Sequence, residues 1–132
     1  MNPAYFEVRF RTGEPIVPWP REFAIITAFA TTGESWPREE NEAADRELES
    51  ELATRGVWFA RVTGYSPASG HAEPGWAAEL PIDDARRVGR RFRQDAIYFV
   101  RGDELSVARC DDGQALAPVG RFRERVTGPG PG

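Results

Sequence analysis

Thr27, Thr31, Thr32 and Ser35 bring their hydroxyl groups together between an apolar run, Phe23-Ala24-Ile25-Ile26-Thr27-Ala28, and a helix-forming stretch that starts near Trp36-Pro37. A strand leading through small hydroxyl-bearing residues into a helix N-terminus offers an anion site, because the first-turn N–H groups are unpaired and carry the positive end of the helix dipole. Phosphate or ribose is the chemistry such a turn would hold. Further along, Asn41 falls on a stripe shared with Ala44, Leu48 and Leu52 at helical spacing. It is therefore a polar group on an apolar face. A buried asparagine costs about 1–3 kcal/mol if unpaired, so it needs a partner, which is either backbone or a ligand.

Five more positions carry groups that could bind or react. Glu79 interrupts the alternation of Trp76, Ala78 and Leu80 and either faces solvent or works as a general acid or base. Gln94 lies between a helix end and a strand, where it caps or reaches a ligand. His71 stands in a Gly/Pro/Ser-rich stretch and is exposed and idle unless it serves acid–base chemistry, for which its ordinary pKa is suited. Trp76 offers a ring on which a base could stack, and Arg46 a charge to neutralise phosphate.

Several chemistries are excluded or unsupported. All 17 basic residues are arginine, so there is neither a Schiff-base lysine nor a P-loop lysine. A single histidine and a single cysteine give no zinc cluster, and no nucleophile elbow is present. No metal and no cofactor is expected. Cys110 cannot form an internal disulfide, and beside Asp111 and Asp112 it reads as structural. The run Glu34, Glu39, Glu40, Glu42, Asp45, Glu47, Glu49 and Glu51 reads as mostly a solvated helix face. A net charge of −4 argues against a whole-molecule nucleic-acid binder, although Arg86, Arg87, Arg90, Arg91 and Arg93 concentrate positive charge locally. No apolar run approaches the ~20 residues of a membrane span, and no signal peptide is recognisable, so the cytoplasm is the expected compartment.

The elements that must position these groups follow from periodicity. Tyr5–Arg11 alternates as a half-buried strand, and the proline-rich stretch from Thr12 to Arg21 is a loop. After the Phe23 strand, a helix capped by Ser35 runs to about Arg55 and stops at Gly56. Val57–Thr63 is a strand, Gly64–Gly75 a long loop, and Trp76–Ile82 a further strand with Pro81 marking its end. Ile82 and Asp83 staple and cap a second helix through Phe92, its arginines outward. Ala96–Val100 and Leu105–Cys110 form a hairpin, and a short strand covers Leu116–Val119. The expectation is one α+β domain over 1–126, with a mixed or antiparallel sheet and two main helices packed on one face, and a Gly/Pro tail over 127–132.

Phe23-x-Ile-Ile-Thr-Ala28, Asn41 with Leu48, Trp76-x-x-Glu79 and Phe92-x-Gln94-x-Ala96-Ile97 occur in this order. Together they resemble a family of short bacterial proteins known only as a domain of unknown function, over about residues 5–110. The family pattern has Asn-Pro after the Thr-Ala strand and Phe-Gly-Gln later; this chain has Ala30-Thr31 and Arg93 at those places. The resemblance implies that Thr27, Asn41, Trp76, Glu79 and Gln94 are the matching polar and aromatic positions, and it implies no activity.

Two functions suit these residues. One is a metal-independent phosphodiesterase acting on a nucleotide or RNA-like ligand, with Glu79, Asn41 and His71 catalytic and Thr27, Thr31, Thr32, Ser35, Arg46, Trp76 and Gln94 binding substrate. By analogy of size and chemistry, it would act as a ring nuclease on cyclic oligoadenylate in type III CRISPR antiviral signalling. The other is a non-catalytic module that binds a nucleotide or a protein in the same cleft. A homodimer is admitted as a partner; a membrane and duplex DNA are not.

Overall fold

Phe23, Ala24, Ile25 and Ile26 are all buried, on both faces of the strand they form. A strand covered on both sides reads as a continuous apolar run rather than an alternating one. The surrounding architecture is that of a computed structural model in which residues 3–30, 36–111 and 116–128 are described. A short 3-10 turn at Pro3–Phe6 precedes β1 (Arg9–Arg11) and β2 (Glu22–Ile26). Then follow α1 (Arg38–Arg55), β3 (Phe59–Tyr65), β4 (Ala72–Ala78), α2 (Ile82–Arg91), β5 (Ala96–Arg101), β6 (Glu104–Arg109), β7 (Ala117–Arg121) and β8 (Val126–Thr127).

All eight strands belong to one sheet in the order β7-β6-β5-β2-β4-β3-β1-β8. Every pairing is antiparallel except β1 with β8. The fold is a single α+β domain with a mixed sheet.

Both helices pack on one face of the sheet. Leu48 and Leu52 of α1 and Ala85 and Val88 of α2 join Ala24, Ile26, Ala78 and Phe99 in one core cluster. The alternate strand positions Phe23, Ile25, Val62, Ala77 and Val100 form a second cluster on the opposite face with Phe10 and Phe122. Curling of the sheet covers that second face. Phe10 of β1 meets Tyr98 of β5 edge-on at 5.2 Å, although β2, β4 and β3 lie between those two strands. The outermost strands β7 and β8 are joined by a 3-10 turn at Phe122–Glu124, and Phe122 packs on Phe10 at 6.0 Å. The result is an almost closed half-barrel with a concave, aromatic interior.

Helix ends follow the local chemistry. Gly56 takes a left-handed conformation (φ 71°) and its N–H donates to the Ala53 carbonyl, ending α1. The expected Ser35 cap lies outside the described residues; Pro37 occupies the N-cap position and accepts the Glu40 and Asn41 N–H groups.

Some boundaries differ from the sequence reading. The first strand begins only at Arg9, because Phe6 is exposed and residues 3–6 turn. The long loop expected over Gly64–Gly75 is mostly ladder: Gly64 pairs with Glu73 and Tyr65 with Ala72, leaving only 66–71 as a turn. Glycine and proline there signalled irregularity, but an antiparallel ladder tolerates a proline where its missing N–H is not required. The β4 strand correspondingly ends at Ala78, and Ile82 opens α2 behind Pro81 with no side-chain cap. Thr127 belongs to β8 rather than to a tail, its carbonyl accepting the Thr12 N–H at 3.0 Å; residues 129–132 lie outside the described residues. No helix among the described residues is long and apolar enough to cross a membrane.

Candidate ligand-binding cavity

A cavity of about 450 Å³ opens on the concave face, at the end of the sheet where β2 and β3 finish and β5 begins. Its apolar wall comes from the inward side chains of Val8, Phe10, Ile25 and Val62. Two glycines help to make the space. Gly64 presents no side chain toward Phe10 and Val8, whose atoms lie 3.6 Å from where a Cβ would stand. At Gly75 a Cβ would fall 2.6 Å from the Ile26 carbonyl oxygen, so the exit of β2 passes directly over a residue that must lack one.

Polar groups converge on the same space. Thr27 Oγ1 donates to the Pro74 carbonyl at 3.0 Å and accepts the Phe29 N–H at 3.2 Å. Asn41 Oδ1 accepts the Ala30 N–H at 2.9 Å. Gln94 Nε2 donates to the Phe29 carbonyl at 2.8 Å and to that of Phe92 at 3.1 Å. On the opposite side, His71 Nε2 lies 3.2 Å from Glu73 Oε1, and the Tyr98 hydroxyl donates to the Tyr5 carbonyl at 2.8 Å. Burial, with smaller contributions from the Tyr5 phenol and the Glu73 carboxylate, pushes the Tyr98 hydroxyl well above the usual phenol range. Tyr98 is thus a neutral hydrogen-bonding group at any physiological pH.

Of the residues singled out from the sequence, Thr27, Asn41, His71 and Gln94 line this cavity together. Three others are placed elsewhere. Trp76 is buried against the helices, edge-on to Phe59 at 5.6 Å, with the Arg61 guanidinium 3.8 Å from its ring centroid; no face is left for a base. Glu79 is exposed on the link between β4 and α2, its N–H donating to the Trp58 carbonyl. It interrupts the apolar pattern because the strand has already ended. Arg46 is exposed on α1 and does not line the cavity. Thr31, Thr32 and Ser35 lie outside the described residues. At the start of α1, the Glu39 and Glu40 carboxylates occupy the turn where a bound anion would gain from the dipole.

The arginines of α2 are engaged rather than free. Arg86 is buried and donates to the Arg109 carbonyl, correcting the outward placement expected for all of them. Arg87 pairs with Asp84, Arg90 donates to the Cys110 carbonyl, and Arg91 pairs with Glu51 at 2.5 Å. Arg93, just past the end of α2, lies over the Trp36 ring at 5.9 Å. The carboxylate run of α1 is likewise not wholly solvated. Asp45 is buried and accepts two hydrogen bonds from Arg61, at 2.9 and 2.6 Å. Burial pushes the Cys110 thiol up to about 11, so it is not a ready nucleophile at neutral pH. Among the described residues no group of three or more His, Cys, Asp or Glu is placed to hold a metal ion.

Sequence reasoning missed Glu73, Tyr98, Tyr5 and Trp36 as lining residues. Glu73 could have been found: it stands two residues from His71, on the same side of any strand.

A family model described as a protein of unknown function, DUF3293, matches residues 26–97. The chain belongs to that family. The match runs from the last residue of β2 into β5 and contains Thr27, Asn41, His71, Glu73 and Gln94, most of the cavity's polar lining. The resemblance to a domain of unknown function is therefore correct at the level of the family. No curated protein and no solved structure matches the chain.

Proposed function

We propose that this protein is a binding module for a small aromatic ligand of about nucleoside size, held in the concave cavity. The observation that carries this reading is the convergence of Thr27, Asn41, Gln94, Glu73 and Tyr98 on one aromatic-walled space of about 450 Å³. Ligand sites are commonly concave, largely apolar and about 300–1,000 Å³ in volume, with a few placed polar groups. Trp36 at the rim supplies a fluorescence reporter. Adenosine should quench or shift that emission saturably in the native protein. Gly64→Leu, which puts a side chain into the cavity, should abolish the response while the protein still melts cooperatively. An unchanged response in Gly64→Leu would overturn the reading. The single cysteine suits a cytoplasmic setting for such a module.

Cleavage of a cyclic oligoadenylate by internal transesterification, the 2′-oxygen displacing the 5′-oxygen at phosphorus, is a second reading, favoured by one contact, the 3.2 Å approach of His71 to Glu73 at the cavity wall. In it His71 and Glu73 take the acid–base roles first assigned to His71 and Glu79, and the ribose 2′-hydroxyl is the nucleophile. Incubation with cyclic tetra-adenylate in EDTA would then yield 2′,3′-cyclic phosphate ends, and Glu73→Gln would remove most of the rate. No turnover leaves the binding module.

A further inference from the structure

Seventeen arginines are spread over this chain, yet no arginine stands among the described residues that line the cavity. Among the described lining residues Glu73 alone is formally charged, and six are aromatic: Tyr5, Phe10, Phe29, Trp36, Tyr65 and Tyr98. Arg11 stands over the Tyr65 ring at 5.1 Å and Arg93 over the Trp36 ring at 5.9 Å, but neither lines the cavity, so an anionic ligand would bring its charge beside a carboxylate with no arginine in the lining to meet it. A cationic ligand meets the reverse situation. Ring faces attract an ammonium through their quadrupoles, and a carboxylate adds a charge-assisted hydrogen bond.

The side chain in contact with the Glu73 carboxylate is that of His71, an ion pair when the ring is protonated. The cross-strand partner of Glu73 is Gly64, which carries no side chain. His71 approaches one carboxylate oxygen, Oε1, at 3.2 Å. The Tyr98 hydroxyl, neutral and tied to the Tyr5 carbonyl, borders the same space. The Arg125 guanidinium donates to the carbonyls of Phe6, Val8 and Val119 and does not line the cavity.

We infer that the ligand of this cavity is an organic cation, a primary or secondary amine on an aromatic or apolar body, with its ammonium group on the Glu73 carboxylate and its body against the aromatic wall. The inference rests on the reading of the cavity as a ligand site and adds the charge of the ligand to it.

Three probes of one shape test it: 2-phenylethylamine, 2-phenylethanol and 3-phenylpropionate, each titrated near neutral pH into the native protein and into Glu73→Gln. The amine should bind roughly tenfold more tightly than the alcohol, and the carboxylate more weakly than either. Glu73→Gln should remove the preference for the amine, bringing it to the level of the alcohol measured in the same variant. An amine no tighter than the alcohol, or an amine affinity indifferent to Glu73→Gln, overturns the assignment of a cation while leaving the cavity a ligand site. If neither the alcohol nor adenosine binds, the site itself falls and the inference with it.

Discussion

Asn41 and Gln94 hold consecutive residues of one segment. Asn41, in the first turn of α1, accepts the Ala30 N–H, and Gln94, just past α2, donates to the Phe29 carbonyl. Two helices far apart in sequence are thereby tied to the exit of β2, where it forms a wall of the cavity. The partner that Asn41 required is backbone, and its contribution to a ligand site is to fix that wall.

Asn41→Ala should cost about 1–3 kcal/mol in stability by leaving the Ala30 N–H without its acceptor. Asn41→Asp keeps an acceptor and should recover much of the loss. Because Gln94→Ala loosens the same segment, the double variant should lose less than the sum of the singles. Urea titrations of the variants measure this; full additivity would mean that the two side chains act on independent features.

The Asp45–Arg61 pair predicts a different pattern. Asp45 is buried, whereas the Arg61 side chain is 40% exposed and stacked on Trp76. Asp45→Ala leaves a cation that water can still reach, so the expected loss is moderate, about 1–2 kcal/mol. Arg61→Lys should restore little, since an ammonium cannot make the two-point contact with Asp45. Thermal melts of both variants decide it, and an Arg61→Lys protein as stable as the native one would count against a bidentate role.

Much of this was legible in the sequence, for physical reasons. The β2 core, both helices and the β5–β6 hairpin carry strong periodic or continuous apolar signals, and α1 ends on Gly56. What was not legible depends on tertiary closure. The ladder from Gly64 to Glu73 is made by residues whose own preferences are for turns. Trp76 and Glu79 looked like a pair on one strand, but the strand ends between them, sending one into the core and the other to solvent. Asp45 lies four residues after Asn41 on the same stripe, yet a run of carboxylates concealed that it turns inward to Arg61.

Cys110 sets an alkaline limit. Burial raises its thiol from 9.0 to about 11, so the folded state holds the proton more tightly than the unfolded chain. Its contribution to stability is complete below pH 9 and is lost as pH rises through 11. Unfolding free energies measured across that range should fall in the native protein, and Cys110→Ala should remove this part of the slope. Identical slopes in the two proteins would contradict the burial argument.

The central claim is that Thr27, Asn41, His71, Glu73 and Gln94 border one ligand site. Nuclear magnetic resonance of uniformly 15N-labelled protein reads it directly, because the side-chain amides of Asn41 and Gln94 and the Trp36 indole N–H each give a separate signal. Titration with 2-phenylethylamine should move those three signals together, along one saturation curve, while the indole signals of Trp19 and Trp58, which pack behind the cavity's apolar wall and do not line it, should move less. Shifts confined to Trp19 and Trp58, or no saturable shift at Asn41, Gln94 and Trp36 with this amine or with adenosine, would contradict it.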